Sequence, residues 1–583
     1  MDSRSAAHTL TRIAEYLELN GESRFKSRAY VQAARAIQQL DSDDLGPLLR
    51  SGELENVPGL GPATLAVVRD LVDEGDSSLL ERLRESTPEG LLEMLRVPGL
   101  GPARIHQIHS GLGVDSLQGL EEAARDGSLT TLRGFGPRTA ERILNGIAFL
   151  RQSDSLVLHP HAAAEAARLV TAIRQLPDVI RAEVAGSLRR CTEVVRSVVI
   201  VAGCGNSPSR VASAVTRWPG VRSVVGGGGR TLQVRFVDGT LLDLRCVPLA
   251  DFAVALWRAT GSPEHVAAVT AHAGDRELVF VGDQLRDAMG QTIPIADEAA
   301  LYRRLDLDYI APELREGMGE LEAAADGTLP RLLELSDIRG VLHAHSQFSD
   351  GDSTIEEMAA AARARGWSYL GITDHSQSAF YAGGLTPDAI LRQHEEIDRL
   401  NATLTDFRIL KGIEADILPC GRVDYDGQTL SSFDYVIGSV HSRFGLNEAQ
   451  MTDRVLKALD DPHLTILGHP TGRLLLTREA YAIDMHAVIE RAAECAVAIE
   501  LNADPHRLDL DWRLVRVARD RGVLIEIGPD AHSVQGLDNM QLGVSIGRKG
   551  WLSASDVLNA RSADDVLAFA ARRRDGATAG APA

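Results

Sequence analysis

Seven apolar runs in the C-terminal half of this chain each stop at a side chain able to hold a metal ion. Val341-Leu342 leads into His343-Ala-His345, with Asp350 close behind, and YLGITDH ends on Asp374-His375. RILKGIEADI carries Glu414, YVIGSVH ends on His441 and LTILGH on His469. VAIELN closes on Glu500 and Asn502, and VLIEIGPDAH on Asp530 and His532. Helix-like segments separate the runs. A parallel β/α barrel collects the C-terminal ends of its strands on one face, and its active site lies there. His-x-His on one strand sends both imidazoles to the same side, because side chains alternate with period two. A lone histidine at a strand end is more often a hydrogen-bonded structural residue. Six histidines and three carboxylates, all at strand ends, are not explained by packing. Imidazole and carboxylate together suit divalent ions such as Zn²⁺ or Mn²⁺, and a multi-metal pocket suits phosphoester hydrolysis.

The motifs H-x-H…SDG, ITDH, GIEADIL, GSVHS, GHPTGR and PDAHS resemble the PHP (polymerase and histidinol phosphatase) domain, in the version fused to bacterial family X DNA polymerases. The resemblance implies a distorted (β/α)7 barrel with up to three divalent ions, Mn, Zn or Fe. It assigns one ion to His343, His345, Glu414 and Asp530. A second shares Glu414 and adds His441 and His469, and a third takes Asp350, His375 and His532. The catalytic centre implied is His343, His345, Glu414 and Asp530, with Arg473, and also Lys411, as phosphate-contacting cations. Asp374 is expected to orient a neighbouring ligand. Pro529 departs from the small polar residue usual before Asp-Ala-His, which changes the loop and removes no ligand.

The remaining sequence bounds the setting. The 583 residues are enough for several domains. No apolar run approaches the ~20 residues of a membrane span, and MDSRSAAHTL lacks a signal-peptide core. Five scattered cysteines show no CxxC pair. We therefore expect a cytoplasmic protein with no membrane partner. The net charge of −20 disfavours broad attraction to nucleic acid, so any DNA contact rests on local cations and backbone amides.

Such contacts are legible near the N-terminus. Residues 4–40 read as two amphipathic helices carrying Arg24, Lys26, Arg28 and Arg35. Three near-repeats follow: VPGLGPA from Val57, VPGLGPARI from Val97 and LRGFGPRTAERIL from Leu132. Each is an apolar residue, a Gly-x-Gly turn and a helix start, with glycines at 59 and 61, 99 and 101, 134 and 136. Amides at such a helix start face an anion. The repeats resemble helix-hairpin-helix motifs, which grip the DNA backbone without reading sequence. Gly59, Gly61, Gly99, Gly101, Gly134, Gly136 and Arg138 are the expected DNA contacts. The position of the lyase lysine found in related polymerases is Val67, so no such chemistry is expected.

The middle of the chain, AEVAGSLRRCTEVVRSVVIVAG, with LLDLRCVP and LWRATGSPEH, resembles the nucleotidyltransferase palm of family X polymerases. The family's two aspartates fall eleven and thirteen residues after Gly186, where this chain has Ser197 and Val199. Two-metal phosphoryl transfer needs carboxylates there, and Asp243 alone cannot hold the pair. Templated addition and Mg²⁺ at the palm are therefore not expected, while Ser187, Arg190 and Asp243 are left as residual nucleotide contacts.

The expected organisation is multidomain: an α-helical region at 1–90 with the first hairpin, a hairpin region at 91–155, an α+β palm and thumb-like region at 156–312, a linker at 313–338, the barrel at 339–572 and a disordered tail at 573–583. The expected function is DNA repair, as a metal-dependent 3′→5′ exonuclease or 3′-end-processing phosphoesterase on gapped, nicked or 3′-recessed DNA. The alternatives are a working polymerase, a small-molecule phosphatase of the histidinol-phosphatase kind, and a non-catalytic DNA-binding scaffold.

Overall fold

The computed structural model describes residues 3–38, 40, 44–73, 75–97, 100–153, 156–237 and 239–579. The chain forms two compact units, Met1–Ser155 and Leu156–Ala583.

The first unit is helical. Leu10, Ile13 and Leu17 of the helix Ser3–Leu19 bury one stripe against Tyr30, Ala33 and Ile37 of the helix Arg24–Gln38, as 3.6-residue periodicity dictates. The first and third near-repeats fold as a helical segment, a tight turn and a second helix, and the second has a helix on either side of its glycines. The second helices are Pro62–Asp73, Pro102–Leu112 and Pro137–Ser153. Proline opens all three, because its fixed φ fits the first turn and its missing N–H is not needed there. Gly59 and Gly134 turn the chain at φ 95° and 89°, a region that a side chain disfavours. Gly61, Gly101 and Gly136 have open space where a Cβ would stand, so the backbone before each second helix is accessible. Gly99 lies outside the described residues. Arg138 is exposed beside the third turn, and Val67 is buried in the core.

The second unit begins with a five-stranded mixed sheet in the order 179–185, 198–204, 241–248, 231–236, 221–228. Helices and a three-stranded antiparallel sheet follow. Seven strands then build the barrel: β1 Gly340–Val341, β2 Tyr369–Ile372, β3 Arg408–Asp416, β4 Tyr435–Ser439, β5 Leu464–Leu467, β6 Ala498–Asn502 and β7 Ile525–Gly528. Each pairs in parallel with the next. An Ala344–Ala531 bridge and the bond from His345 N–H to Ala531 O (2.9 Å) draw the two edges together, so the sheet is nearly closed. Strands covered on both faces read as continuous apolar runs, which is why the segments are legible in the sequence.

The chain end departs from expectation. The final helix, Ala563–Ala579, runs into the stretch read as a disordered tail. Arg573 donates to Leu459 O (3.0 Å) and Asp461 O (2.6 Å), and Arg574 to Phe433 O (2.9 Å). Two guanidinium groups satisfying carbonyls on the barrel wall tie the helix down, which the Ala/Gly-rich composition does not reveal. Residues 580–583 lie outside those described.

Candidate metal centre

The strand ends place their polar side chains in one cluster. His343 and His345 follow β1 and are fully buried. Glu414 of β3 sits in the middle. Its Oε2 lies 3.7 Å from Nε2 of both His343 and His345 and 2.9 Å from His375 Nδ1. Its Oε1 is 2.9 Å from His469 Nε2 and 3.3 Å from His441 Nε2. Asp530 Oδ1 is 3.1 Å from His345 Nε2 and 3.5 Å from His343 Nε2. Asp350 Oδ1 is 3.4 Å from His532 Nε2, and its Oδ2 is 3.6 Å from His375 Nε2. All nine residues singled out as ligands meet here.

Among the described residues, three groups have donor atoms mutually within 4.8 Å: His343–His345–Asp530, His375–Glu414–His441 and His345–Asp350–His375–His532. They overlap the partition implied by the resemblance but do not reproduce it: His345 and His375 each serve two groups, Glu414 joins only the group of His375 and His441, and His469 joins none. His469 (φ 23°) and Asp530 (φ 50°) hold left-handed backbone, which non-glycine residues rarely adopt and which gathers at binding sites.

The donor set fits divalent metal. His343 Nδ1 bonds Glu500 Oε1 (2.6 Å), His441 Nδ1 bonds Asp416 Oδ1 (2.7 Å) and His532 Nδ1 bonds Asp530 O (2.9 Å). An acceptor at Nδ1 fixes the proton there and turns Nε2 outward as a ligand. Buried ring nitrogens of His343, His345, His375 and His469 lack hydrogen-bond partners, although His375 Nδ1 lies near Glu414 without the alignment of a bond. Orphaned buried polar atoms cost about 1–3 kcal/mol each, a cost that ligation removes. The charges are paired for the same task. Burial opposes the charge of Glu414, but His375 and His441 outweigh it and hold the carboxyl well below its ordinary range. Burial and then the charge of His532 push His345 down to about 3.

Other sequence candidates take different work. Among the described residues, the Asp374 carboxylate bonds no histidine. It accepts from Ser346 Oγ (2.6 Å), Ser349 Oγ (2.5 Å) and Gln393 Nε2 (2.6 Å), and so anchors the loop joining His345 to Asp350. Arg473, expected at a phosphate, donates instead to Asp511 Oδ2 and Arg507 O (2.9 Å each) and reaches Glu193 of the palm at 3.5 Å. Surrounding acceptors consume its fork, so it braces barrel against palm. Lys411 pairs with Asp398 at 2.6 Å. The cation that does face the cluster is Arg507, whose Nε lies 3.5 Å from Asp530 Oδ2. Sequence reasoning missed it, because no motif separates it from its neighbour Asp509. Sequence reasoning also missed Glu526. It pairs in register with Glu500, and burial and then the charge of Glu500 raise its pKa well above the ordinary carboxyl range.

In the palm, Val199 lies in register with Asp243 and with Ala185, and no acid occurs in Val198–Cys204. Asp243 accepts a bond from Gln233 Nε2 (3.3 Å). Arg190, expected at a triphosphate, bonds Glu316 Oε1 and Thr260 O (2.8 Å each). The fully buried Lys549, from the helix after β7, bonds that same Glu316 and Arg190 O. Arg190 is therefore committed to an ion network shared with the barrel. Ser187, the third expected nucleotide contact, gives its carbonyl to Thr192 Oγ1 (3.2 Å).

Four family models match the chain: Helix-hairpin-helix domain over residues 1–77, SAM-like Helix-hairpin-helix tandem over 91–148, DNA polymerase beta thumb over 255–316 and PHP domain over 342–503. Fold and cluster thus define a PHP-barrel hydrolase joined to a polymerase-like body and helix-hairpin-helix modules. Among curated relatives, the DNA polymerase/3'-5' exonuclease PolX of Bacillus subtilis (strain 168) is 37% identical over 577 residues, covering 98% of this chain and 100% of that protein. The chain belongs to the PolX family. The chain is also similar to a probable phosphatase of Shewanella sediminis, 28% identical over 242 residues, which cover 40% of this chain and 93% of the relative. A probable phosphatase of Syntrophotalea carbinolica is 32% identical over 28% of this chain and 64% of the relative.

Proposed function

We propose that the chain hydrolyses phosphodiester or terminal phosphate bonds at DNA 3′ ends in its barrel, and that its palm no longer adds nucleotides. One observation carries the reading: imidazole nitrogens from four strand ends converge on Glu414, with the far nitrogens of His343 and His441 tied to carboxylates. The nine residues His343, His345, Asp350, His375, Glu414, His441, His469, Asp530 and His532 would hold up to three ions of Mn, Zn or Fe. Such ions supply Lewis acidity to a phosphate oxygen and lower the pKa of bound water. The chain's own residues fix the donors, pair charge with charge and bring the Arg507 guanidinium to the rim.

Residues 1–155 supply sequence-independent grip on gapped, nicked or 3′-recessed DNA through their accessible turns. Residues 156–312 serve as a degenerate palm and thumb, 313–338 as the connection and 339–572 as the hydrolase, in a cytoplasmic setting. Among the described residues no helix is long and apolar enough to cross a membrane. The palm reading rests on Asp243 standing beside Val199, one carboxylate where two are needed.

The test is hydrolysis of a 3′-recessed duplex beside histidinol phosphate. Faster loss of the duplex end, abolished by Asp530→Asn and retained by Asp243→Asn, supports the proposal. The relatives named probable phosphatases, which cover 40% and 28% of this chain, favour a second reading, a small phosphomonoester substrate. Hydrolysis of histidinol phosphate with an untouched duplex would establish it.

A further inference from the structure

The barrel rim carries a feature that metal ligation leaves unused. Phe380 and Tyr381 lie in the short turn Phe380–Ala382 after β2, with 86% and 62% of their surfaces exposed. Two adjacent aromatics held in water beside a polar centre mark a contact surface. The loop presenting them is not slack. Ala379 N donates to Ser376 O (2.9 Å), Gly384 N to Ala379 O (3.1 Å) and Leu385 N to His375 O (2.8 Å). Gln377 N donates to the Tyr425 hydroxyl and Ser378 N to Asp424 Oδ2, both at 2.9 Å. Ser376 N is bonded to Glu414 O (2.9 Å), so the loop is registered against the strand that carries the central carboxylate. The Tyr381 ring centroid is 6.4 Å from that of His375 and 6.5 Å from that of His441, and Phe380 stands 6.1 Å from Tyr381. Arg507 borders the same cluster at Asp530. Among the described residues its guanidinium makes no hydrogen bond, unlike that of Arg473.

A cation bordering the cluster and a fixed aromatic pair beside its ligands match the two chemistries of a nucleotide: a charged phosphate and a flat base. We propose that Phe380 and Tyr381 form a stacking platform for the unpaired terminal base of a DNA 3′ end, while Arg507 holds the adjacent phosphate over the ligand cluster. This rests on the DNA-end reading and names its substrate class. Stacking accepts any base but needs it unpaired, so the site selects frayed or single-stranded ends. The planar fork of arginine suits phosphate recognition.

The experiment uses the full chain with Mn²⁺ and two 5′-labelled single strands. They are identical except that the 3′-terminal residue carries a base in one and is a tetrahydrofuran abasic analogue in the other. Wild type releases the base-bearing residue about tenfold faster, within the span that base–aromatic stacking supports. Phe380→Ala/Tyr381→Ala brings that ratio toward one, and Phe380→Trp/Tyr381→Phe preserves it. Arg507→Gln lowers kcat/KM on both strands and leaves the ratio intact. A ratio unmoved by the double alanine variant, or a wild-type ratio of one, overturns the platform while leaving the DNA-end reading standing. Unchanged rates in Arg507→Gln overturn the phosphate role. Failure of wild type on both strands, with histidinol phosphate still hydrolysed, removes the DNA-end reading and this inference with it.

Discussion

At the scale of single residues, the site depends on side chains that stand behind the nine clustered residues and bond their far atoms. The Asp416 carboxylate holds His441 Nδ1 at 2.7 Å. Asp416→Asn should lower metal affinity by roughly 10–100-fold, as for other residues that orient ligands, with little change in fold stability. Metal titration followed by elemental analysis checks this, and undiminished binding would show that His441 needs no such anchor. The members of the cluster were legible because they are chemically distinctive and sit at strand ends. Their anchors were not. Glu500 and Glu414 both end apolar runs, yet Glu414 meets five imidazoles while Glu500 bonds the far side of one of them. Only the barrel's curvature separates these roles. Arg473 and Arg507 present the same difficulty, since the direction of a loop guanidinium is set by the acceptors that folding brings near.

At the scale of elements, the barrel was readable because each of its strands is buried on both faces. The attachment of the palm was not, since it rests on ion pairs between residues far apart in sequence. Glu298 shows the logic. It is bonded by Arg189 Nη2 at 2.6 Å and by Arg315 Nη1 at 2.5 Å, and Arg315 is fully buried. Burial opposes the charge on Glu298, but Arg315 outweighs it and, with Arg189, holds the carboxyl below its ordinary value of 4.5. A carboxylate held low stabilises the fold fully above that ordinary value and loses the contribution as pH falls through its lowered one. Glu298→Gln should therefore cost about 3–5 kcal/mol near neutral pH, because it leaves a buried cation unpaired. The deficit should shrink on acidification. Thermal melts of the two proteins across that range test the sign, and a deficit that grows toward acid would contradict it. The sequence also concealed the final helix, because its anchors are backbone carbonyls of the barrel, which no local pattern announces.

At the scale of the whole molecule, a chain of net charge −20 must bind DNA through a few placed cations and backbone amides. Arg138→Ala should weaken binding evenly across sequences and make the dependence of log affinity on log salt shallower by about one unit, the expectation for one lost phosphate contact. Fluorescence anisotropy at several salt concentrations measures both, and an unchanged slope would place Arg138 outside the interface. The central claim is that hydrolytic chemistry resides in the barrel while the palm has lost the carboxylate pair needed for synthesis. The most direct measurement is a gel of a 5′-labelled primer on its template, incubated with Mn²⁺ with and without all four deoxynucleoside triphosphates. The account predicts shortening of the primer in both lanes. Lengthening when nucleotides are present, or a primer untouched in either lane, would contradict it.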